Sequence, residues 1–305
     1  PTAVEVRFCS GGEPFLYPQF REALALAASY AVTTSVVSNG TLIDEGTVAW
    51  LVQDQTLHHL NVSLDGATAT TLERIRVGAS FAAIVGNLER LRSVQAAAGA
   101  RYPRLGIRFV AMRSNVAELP GMVELVARLG AQVLTVAYLN ATSEIDAAES
   151  LYHDPALAVQ AFAAARRQAR RVGLRLVLPP PLDQQCKPRR CVQPWRMCQI
   201  DPDGAIRCCY KSWRQRLGFF QDGFEAVWRG PHYARLRTTM ATATPYFPYC
   251  RHCSERRGWN EPAAHDARLY QEDYLIRELS ALQVPFNQRE AESAAAWAAE
   301  TETKR

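Results

Sequence analysis

The chain has 305 residues, 48% of them hydrophobic, which is enough for one large domain and a small appendage. It holds no run of about 18 apolar residues, so no bilayer span is expected. Its net charge of +5 is carried by scattered arginines, with one run (Arg166, Arg167, Arg170, Arg171) on a predicted helix face, so no nucleic-acid surface is expected either.

Along the chain, short apolar runs alternate with longer amphipathic ones. Strands are predicted at 4–9 (VEVRFC), 32–37 (VTTSVV), 60–64 (LNVSL), 106–112 (GIRFVAM) and 132–139 (QVLTVAYL), with a weaker one at 174–178 (LRLVL). Helices are predicted over 18–30, 44–54, 80–98, 115–129 and 156–172. Within them Leu88, Leu91 and Val94, and likewise Leu119, Val123 and Val126, fall at helical spacing. Strand–helix–strand alternation with short connections implies parallel strands with helical crossovers. An open doubly wound sheet and a βα barrel fit that rhythm equally, and both build their sites at the C-terminal strand ends. Pro179, Pro180 and Pro181 then interrupt the pattern. The predicted division is 1–178, a cysteine- and aromatic-rich 179–262, and 263–305 as a helix with an Ala/Glu-rich tail.

Four motifs stand at successive strand ends. Gly11-Gly12-Glu13-Pro14 follows the first strand: two glycines let a ligand approach the backbone, a carboxylate behind them can pair with an ammonium group, and the proline stiffens the turn. Ser38-Asn39-Gly40-Thr41 closes the second strand, and Ser63-Leu64-Asp65-Gly66 the third. Arg76-Val77-Gly78 precedes the helix that opens at Phe81. Each is an ordinary turn taken singly; their succession points to one ligand site.

Seven of the eight cysteines fall between 186 and 253. With no secretory leader read at the start, a cytoplasmic setting with reduced thiols is expected, and clustered cysteines there indicate metal before disulfides. Cys250-x-x-Cys253 has the spacing with which two thiolates share a metal or cluster. Between Cys191 and Cys209, Ile200, the turn Asp201-Pro202-Asp203-Gly204 and Ile206 predict a hairpin that brings those two cysteines together. Spacing alone leaves tetrahedral zinc and an iron–sulfur cluster equally open. Cys186 and Cys198 are expected to pack or to lie free, and Trp195, Trp213, Trp228 and Tyr233 to pack; Leu217–Phe219 and Phe224–Trp228 are expected to form a connecting helix.

Taken together the motifs resemble the radical S-adenosylmethionine (radical SAM) superfamily, in the branch with an added cysteine domain called SPASM or, in its one-cluster form, twitch. The resemblance implies an α/β fold: a partial (β/α)6 barrel, here lacking its first strand, with a small cysteine-rich α+β auxiliary-cluster domain. It implies that Gly11, Gly12 and Glu13 receive the methionyl ammonium of S-adenosylmethionine, and that Arg76 lies near the methionyl carboxylate. Ser63, with Asp65 in the same strand end, is implied in cofactor binding, and Ser38 and Asn39 form the corresponding end of the preceding strand. The resemblance makes Met112 and Tyr138 candidates for lining the adenine and substrate side, with packing of the barrel interior the favoured reading. It also implies Cys191, Cys209, Cys250 and Cys253 as ligands of an auxiliary [4Fe–4S] cluster, the distance from Gly204 favouring Cys209 over Cys208. The family's CxxxCxxC loop is missing, since Cys9 is the one cysteine before 186. The opening on Pro1 rather than Met favours truncation over degeneration, and the catalytic [4Fe–4S] cluster is expected only in the full-length protein. The implied activity is reductive cleavage of S-adenosylmethionine to a 5′-deoxyadenosyl radical that abstracts hydrogen from a peptide or small molecule. Flavodoxin or ferredoxin is the expected electron donor, and this fragment itself is expected to be inactive. The alternative is a non-catalytic or zinc-stabilised binding module derived from the same barrel.

Overall fold

The computed structural model describes residues 3–9, 11–140, 144–182, 191–211, 216–240, 242, 247, 250 and 253. These fall into two compact units, one running to Leu182 and one starting at Cys191. The expected helix after 263, and the expected packing of Cys186 and Trp213, lie outside the described residues.

The first unit runs β1 (Glu5–Phe8), α1 (Phe20–Ser29), β2 (Thr33–Ser38), α2 (Glu45–Asp54), β3 (His59–Ser63), α3 (Ala69–Ile75), α4 (Phe81–Ala98), β4 (Arg104–Ala111), α5 (Leu119–Arg128), β5 (Val133–Tyr138), α6 (Glu144–Glu149), α7 (Pro155–Val172) and β6 (Arg175–Val177). The strands form one parallel sheet in chain order, β1 to β6, so each new strand adds on the same side of the last. A doubly wound sheet would reverse direction at a switch point. None occurs, and the winding is that of a barrel wall.

Local chemistry sets the boundaries. Asp44 caps α2 by accepting from the Thr47 N–H at 2.8 Å, and Ser80 and Asp154 cap α4 and α7 in the same way. Gly99 and Gly173 end those two helices in the left-handed conformation. The helix predicted from 115 begins as a 3₁₀ turn, and α5 proper opens with a proline in its first turn. Helix α3, opened by Thr68, was not predicted: at seven residues it carries too little periodicity to read.

One face of the sheet is apolar and lies under the helices: Val36, Leu60, Val62, Ile107, Phe109 and Leu134 are fully buried there. They share a single cluster with Leu24, Leu51, Leu72, Leu88, Val126 and Ala165 from six helices. Because successive side chains point to opposite faces, the alternate residues Glu5, Arg7, Ser35, Asn61, Ser63 and Arg108 point away from the helices. Fully buried parallel strands are apolar on both faces; this sheet is polar on one. Leu182, beyond the triple proline, still packs in this core.

The second unit contains α8 (Gln193–Arg196), β7 (Gln199–Ile200), β8 (Ala205–Arg207), β9 (Gly218–Phe219), α9 (Phe224–Arg229) and α10 (Pro231–Thr239). The predicted hairpin is β7–β8, closed by the Gly204 N–H on the Asp201 carbonyl at 2.9 Å. Leu217–Phe219 departs from the expected helix. Gly218 and Phe219 form a third antiparallel strand, and the Leu217 N–H donates to the Ile206 carbonyl at 2.8 Å. Pairing with β8 outweighs the helical tendency of so short a segment. Phe224–Trp228 is helical as expected, within α9. Tyr233, Leu236, Ile206 and Met240 form the core with Trp228 against it, whereas Trp195 stays at the surface.

Candidate functional site

At the C-terminal end of the sheet, Gly11 and Gly12 take φ of 97° and 89°, and a side chain added to either would meet nothing within 4 Å. They present an open stretch of backbone. Glu13 caps the 3₁₀ turn Pro14–Leu16, and its carboxylate spans two strand ends. Oε1 accepts from the Ser38 hydroxyl at 2.8 Å and the Phe15 N–H at 3.3 Å; Oε2 accepts from the Asn39 N–H at 2.7 Å. Three of the roughly four acceptor positions of a carboxylate are thus filled, leaving room for one more donor. Asn39 folds its own turn by accepting from the Thr41 N–H at 2.8 Å and the Thr41 hydroxyl at 2.7 Å. Gly11, Gly12, Glu13, Ser38 and Asn39 are therefore brought together as one loop cluster.

At the end of β3, Ser63 points to the polar face and Asp65 is buried. The Asp65 Oδ2 holds Arg76 through Nη2 at 2.6 Å and Nε at 2.8 Å, while Oδ1 accepts from the Val110 N–H at 2.7 Å. Arg76 ends α3, so this pair ties the β3 turn to the loop after it and to β4. Gly66 follows because a Cβ there would lie 2.6 Å from the Leu72 backbone nitrogen. Met112 and Tyr138 are buried; Tyr138 lies 5.7 Å from the Phe162 ring and donates to the Pro180 carbonyl at 3.0 Å, a packing role.

Two positions that the sequence did not single out complete this end of the sheet. Buried Asn115 donates to the Asp65 carbonyl at 3.0 Å and the Val110 carbonyl at 2.9 Å, and accepts from the Met112 N–H at 2.8 Å. Glu118 accepts from the Ala67 N–H at 2.7 Å and from the hydroxyls of Thr68 and Thr71. Both bind loops about fifty positions away, which no local pattern signals. The polar face was missed as well. On it Glu5 accepts from Ser35 at 2.6 Å and pairs with Arg7 at 3.1 Å. Burial pushes the Glu5 carboxyl up, but the hydrogen bonds from Ser35 and Arg7 and the Arg7 charge outweigh it and hold the group below its ordinary value.

In the second unit, Cys208 is buried within the core cluster, and Cys191, Cys198, Cys209 and Cys250 pack against the same cluster; Cys253 is also buried. Among the described residues no three His, Cys, Asp or Glu side chains form a ready-made metal cage. The cysteines packed on this core, among the described residues, offer thiol donors, which suit iron–sulfur or zinc ligation. Tyr233 is buried among these cysteines. Burial pushes its hydroxyl far up, and Cys198, Cys208 and Cys209 push the same way.

Family models match each unit: that of the radical SAM superfamily over residues 2–97, and that of the iron–sulfur cluster-binding SPASM domain over 191–254. The chain belongs to the radical SAM superfamily and carries a SPASM domain. Its cofactors are accordingly of the S-adenosylmethionine and iron–sulfur classes. It is 28% identical over 242 residues to the mycofactocin maturase MftC of Mycobacterium ulcerans, covering 74% of this chain and 62% of that protein. It is 26% identical over 269 residues to the PqqA peptide cyclase of Methylorubrum extorquens, covering 81% and 64%. The chain thus spans under two thirds of the length of these relatives. Among solved structures, Streptococcus suis SuiB bound to S-adenosylmethionine matches with a TM-score of 0.58 at 16% identity, over 77% of this chain and 56% of that one. Native anSMEcpe with bound AdoMet and Cp18Cys peptide matches with 0.60 at 15%, over 92% and 86%. At such identities these two show the fold alone, a radical SAM fold. No helix among the described residues is long and apolar enough to cross a membrane.

Proposed function

We propose that this chain is the S-adenosylmethionine-binding barrel and auxiliary-cluster domain of a peptide-modifying radical SAM maturase. The observation that carries the reading is Glu13: its carboxylate is oriented by Ser38, Asn39 and Phe15 and keeps one acceptor position, above the open backbone of Gly11 and Gly12. A methionyl ammonium would fill it with a charge-assisted hydrogen bond. Ser63, beside Arg108 on the polar face, would line the same cofactor. Arg76, held through Nε and Nη2 by Asp65, would present its remaining donors to the methionyl carboxylate, which makes Asp65 its positioning partner.

Cys9 is the one cysteine before 186, so the reading assigns the catalytic cluster to thiolates outside these 305 residues. Such a cluster, when bound together with S-adenosylmethionine, would supply the radical chemistry. This chain's residues hold the cofactor by its amino-acid end and present a polar wall to the substrate. A peptide substrate is favoured because MftC and PqqA peptide cyclase bear the names of a maturase and a peptide cyclase, and because anSMEcpe was solved with a peptide. Cys191, Cys209, Cys250 and Cys253 would hold the auxiliary [4Fe–4S] cluster, with Cys208 in the core rather than in the ligand set. A cytoplasmic setting with a flavodoxin or ferredoxin donor completes the proposal.

The test is S-adenosylmethionine binding by equilibrium dialysis of the reconstituted chain and its Glu13→Gln variant. A hydrogen bond to a charged group is worth about 1.5–3 kcal/mol, so binding should weaken about ten- to a hundredfold. Equal binding by both proteins would overturn the assignment of Glu13.

A further inference from the structure

Helix α10 carries two side chains that the proposed chemistry does not use. Arg237 packs against two aromatic rings, 4.5 Å from the centroid of Trp228 and 4.8 Å from that of Tyr233. Its Nε donates to the Pro194 carbonyl at 3.0 Å and its Nη1 to the Trp228 carbonyl at 2.8 Å. Tyr233, fully buried, stands 4.8 Å from the Trp228 ring and donates its hydroxyl to the Arg207 carbonyl at 3.2 Å.

The acceptors are informative. Pro194 lies in α8, between Cys191 and Cys198. Arg207 ends β8 and immediately precedes Cys208 and Cys209. One side chain of α10 therefore grips the first cysteine segment and the other grips the second. Both bonds go to backbone carbonyls and so fix the path of the chain itself. A guanidinium packed against two rings and donating to two carbonyls is a rigid fork, which a flexible ammonium cannot reproduce. Arg207 is fixed from its other side as well, by Asp201 across the hairpin.

We propose that Tyr233 and Arg237 form a clamp that holds the Cys191 and Cys209 segments at the spacing an auxiliary cluster requires, acting as positioning residues rather than ligands. The inference rests on the assignment of an auxiliary cluster above. It predicts that the clamp governs how firmly the cluster is held and how its iron environment is shaped. Thiolate ligands depend on partners of this outer kind for their orientation.

The experiment compares the anaerobically reconstituted chain with Tyr233→Phe, which keeps the ring and loses the hydroxyl, and Arg237→Lys, which keeps the charge and loses the fork. The readouts are iron per chain, the rate of iron loss to a chelator, the electron paramagnetic resonance spectrum of the dithionite-reduced protein, and far-ultraviolet circular dichroism. Expected are faster iron loss, by about threefold or more in each variant, and an altered resonance spectrum with unchanged dichroism. If Arg237→Lys fails to fold, Tyr233→Phe alone decides. Parental rates of loss together with parental spectra would overturn the clamp. A parent chain that takes up no iron would instead overturn the auxiliary-cluster assignment, so the two failures are distinct.

Discussion

Replacing Asp65 by alanine should be among the most damaging single changes in the first unit, and its cost can be built from contacts. The Asp65 side chain is 5% exposed and that of Arg76 28%. Removing the carboxylate breaks an ion pair in which two guanidinium N–H groups share Oδ2, and strips the Val110 N–H of its acceptor. Breaking a buried pair by deleting one partner costs about 3–5 kcal/mol. Because Arg76 retains some access to water, the lower end, about 3 kcal/mol, is expected. Asp65→Asn keeps an acceptor for the Val110 N–H and loses the charge, so about half that cost is expected. Urea unfolding followed by far-ultraviolet circular dichroism, which is dominated by the helices of the first unit, measures both. A change under about 0.5 kcal/mol for Asp65→Ala, the size of an ordinary surface substitution, would refute the view that this pair joins β3 to β4. Equal costs for the two variants would show that the Val110 bond contributes nothing.

The other predictions concern pH and packing. His58 Nδ1 accepts from the Thr34 N–H at 3.1 Å, and burial, reinforced by the charges of His59 and Arg104, holds its pKa below the ordinary 6.5. As pH falls through that ordinary value the unfolded chain takes up the proton before the folded one, so stability should drop from about pH 6.5 downward. Unfolding midpoints at about pH 7.5 and about pH 5.5 should differ less in His58→Asn than in the parent; an equal difference would contradict this. Gly66→Ala would place a Cβ 2.6 Å from the Leu72 nitrogen. It should cost about 1–3 kcal/mol in the same urea assay, where an unchanged midpoint would show that α3 can move aside.

How much of this was legible beforehand varied with the range of the forces involved. The strands and most helices were readable because alternation and helical spacing are local, and the hairpin because Asp201–Gly204 carries its turn chemistry in consecutive residues. The turn motifs were readable because each lies in consecutive residues, although the bonds that join Glu13 to Ser38 and Asn39 cross 25 and 26 positions and were not. What escaped was set by contacts distant in sequence. Asn115 and Glu118 serve backbone groups of the β3 loop, and nothing in their own neighbourhood says so. The polar face was hidden inside strands that look apolar as runs, since Arg7, Asn61 and Arg108 acquire a common direction only when the register is known. Leu217–Phe219 was misread because a two-residue strand owes its existence to its partner β8, not to its own composition. Arg237 is one of many scattered arginines in the sequence, and only the packing of α10 against Trp228 and Tyr233 sets it apart.

The central claim is that this chain pairs a cofactor-binding radical SAM barrel with a four-thiolate cluster domain, and metal content tests it most directly. Anaerobic reconstitution with iron and sulfide should give about four irons per chain with the brown absorbance of a cluster, and Cys250→Ala combined with Cys253→Ala should abolish it. Zinc bound in place of iron, or iron retained in full by the double variant, would contradict the account.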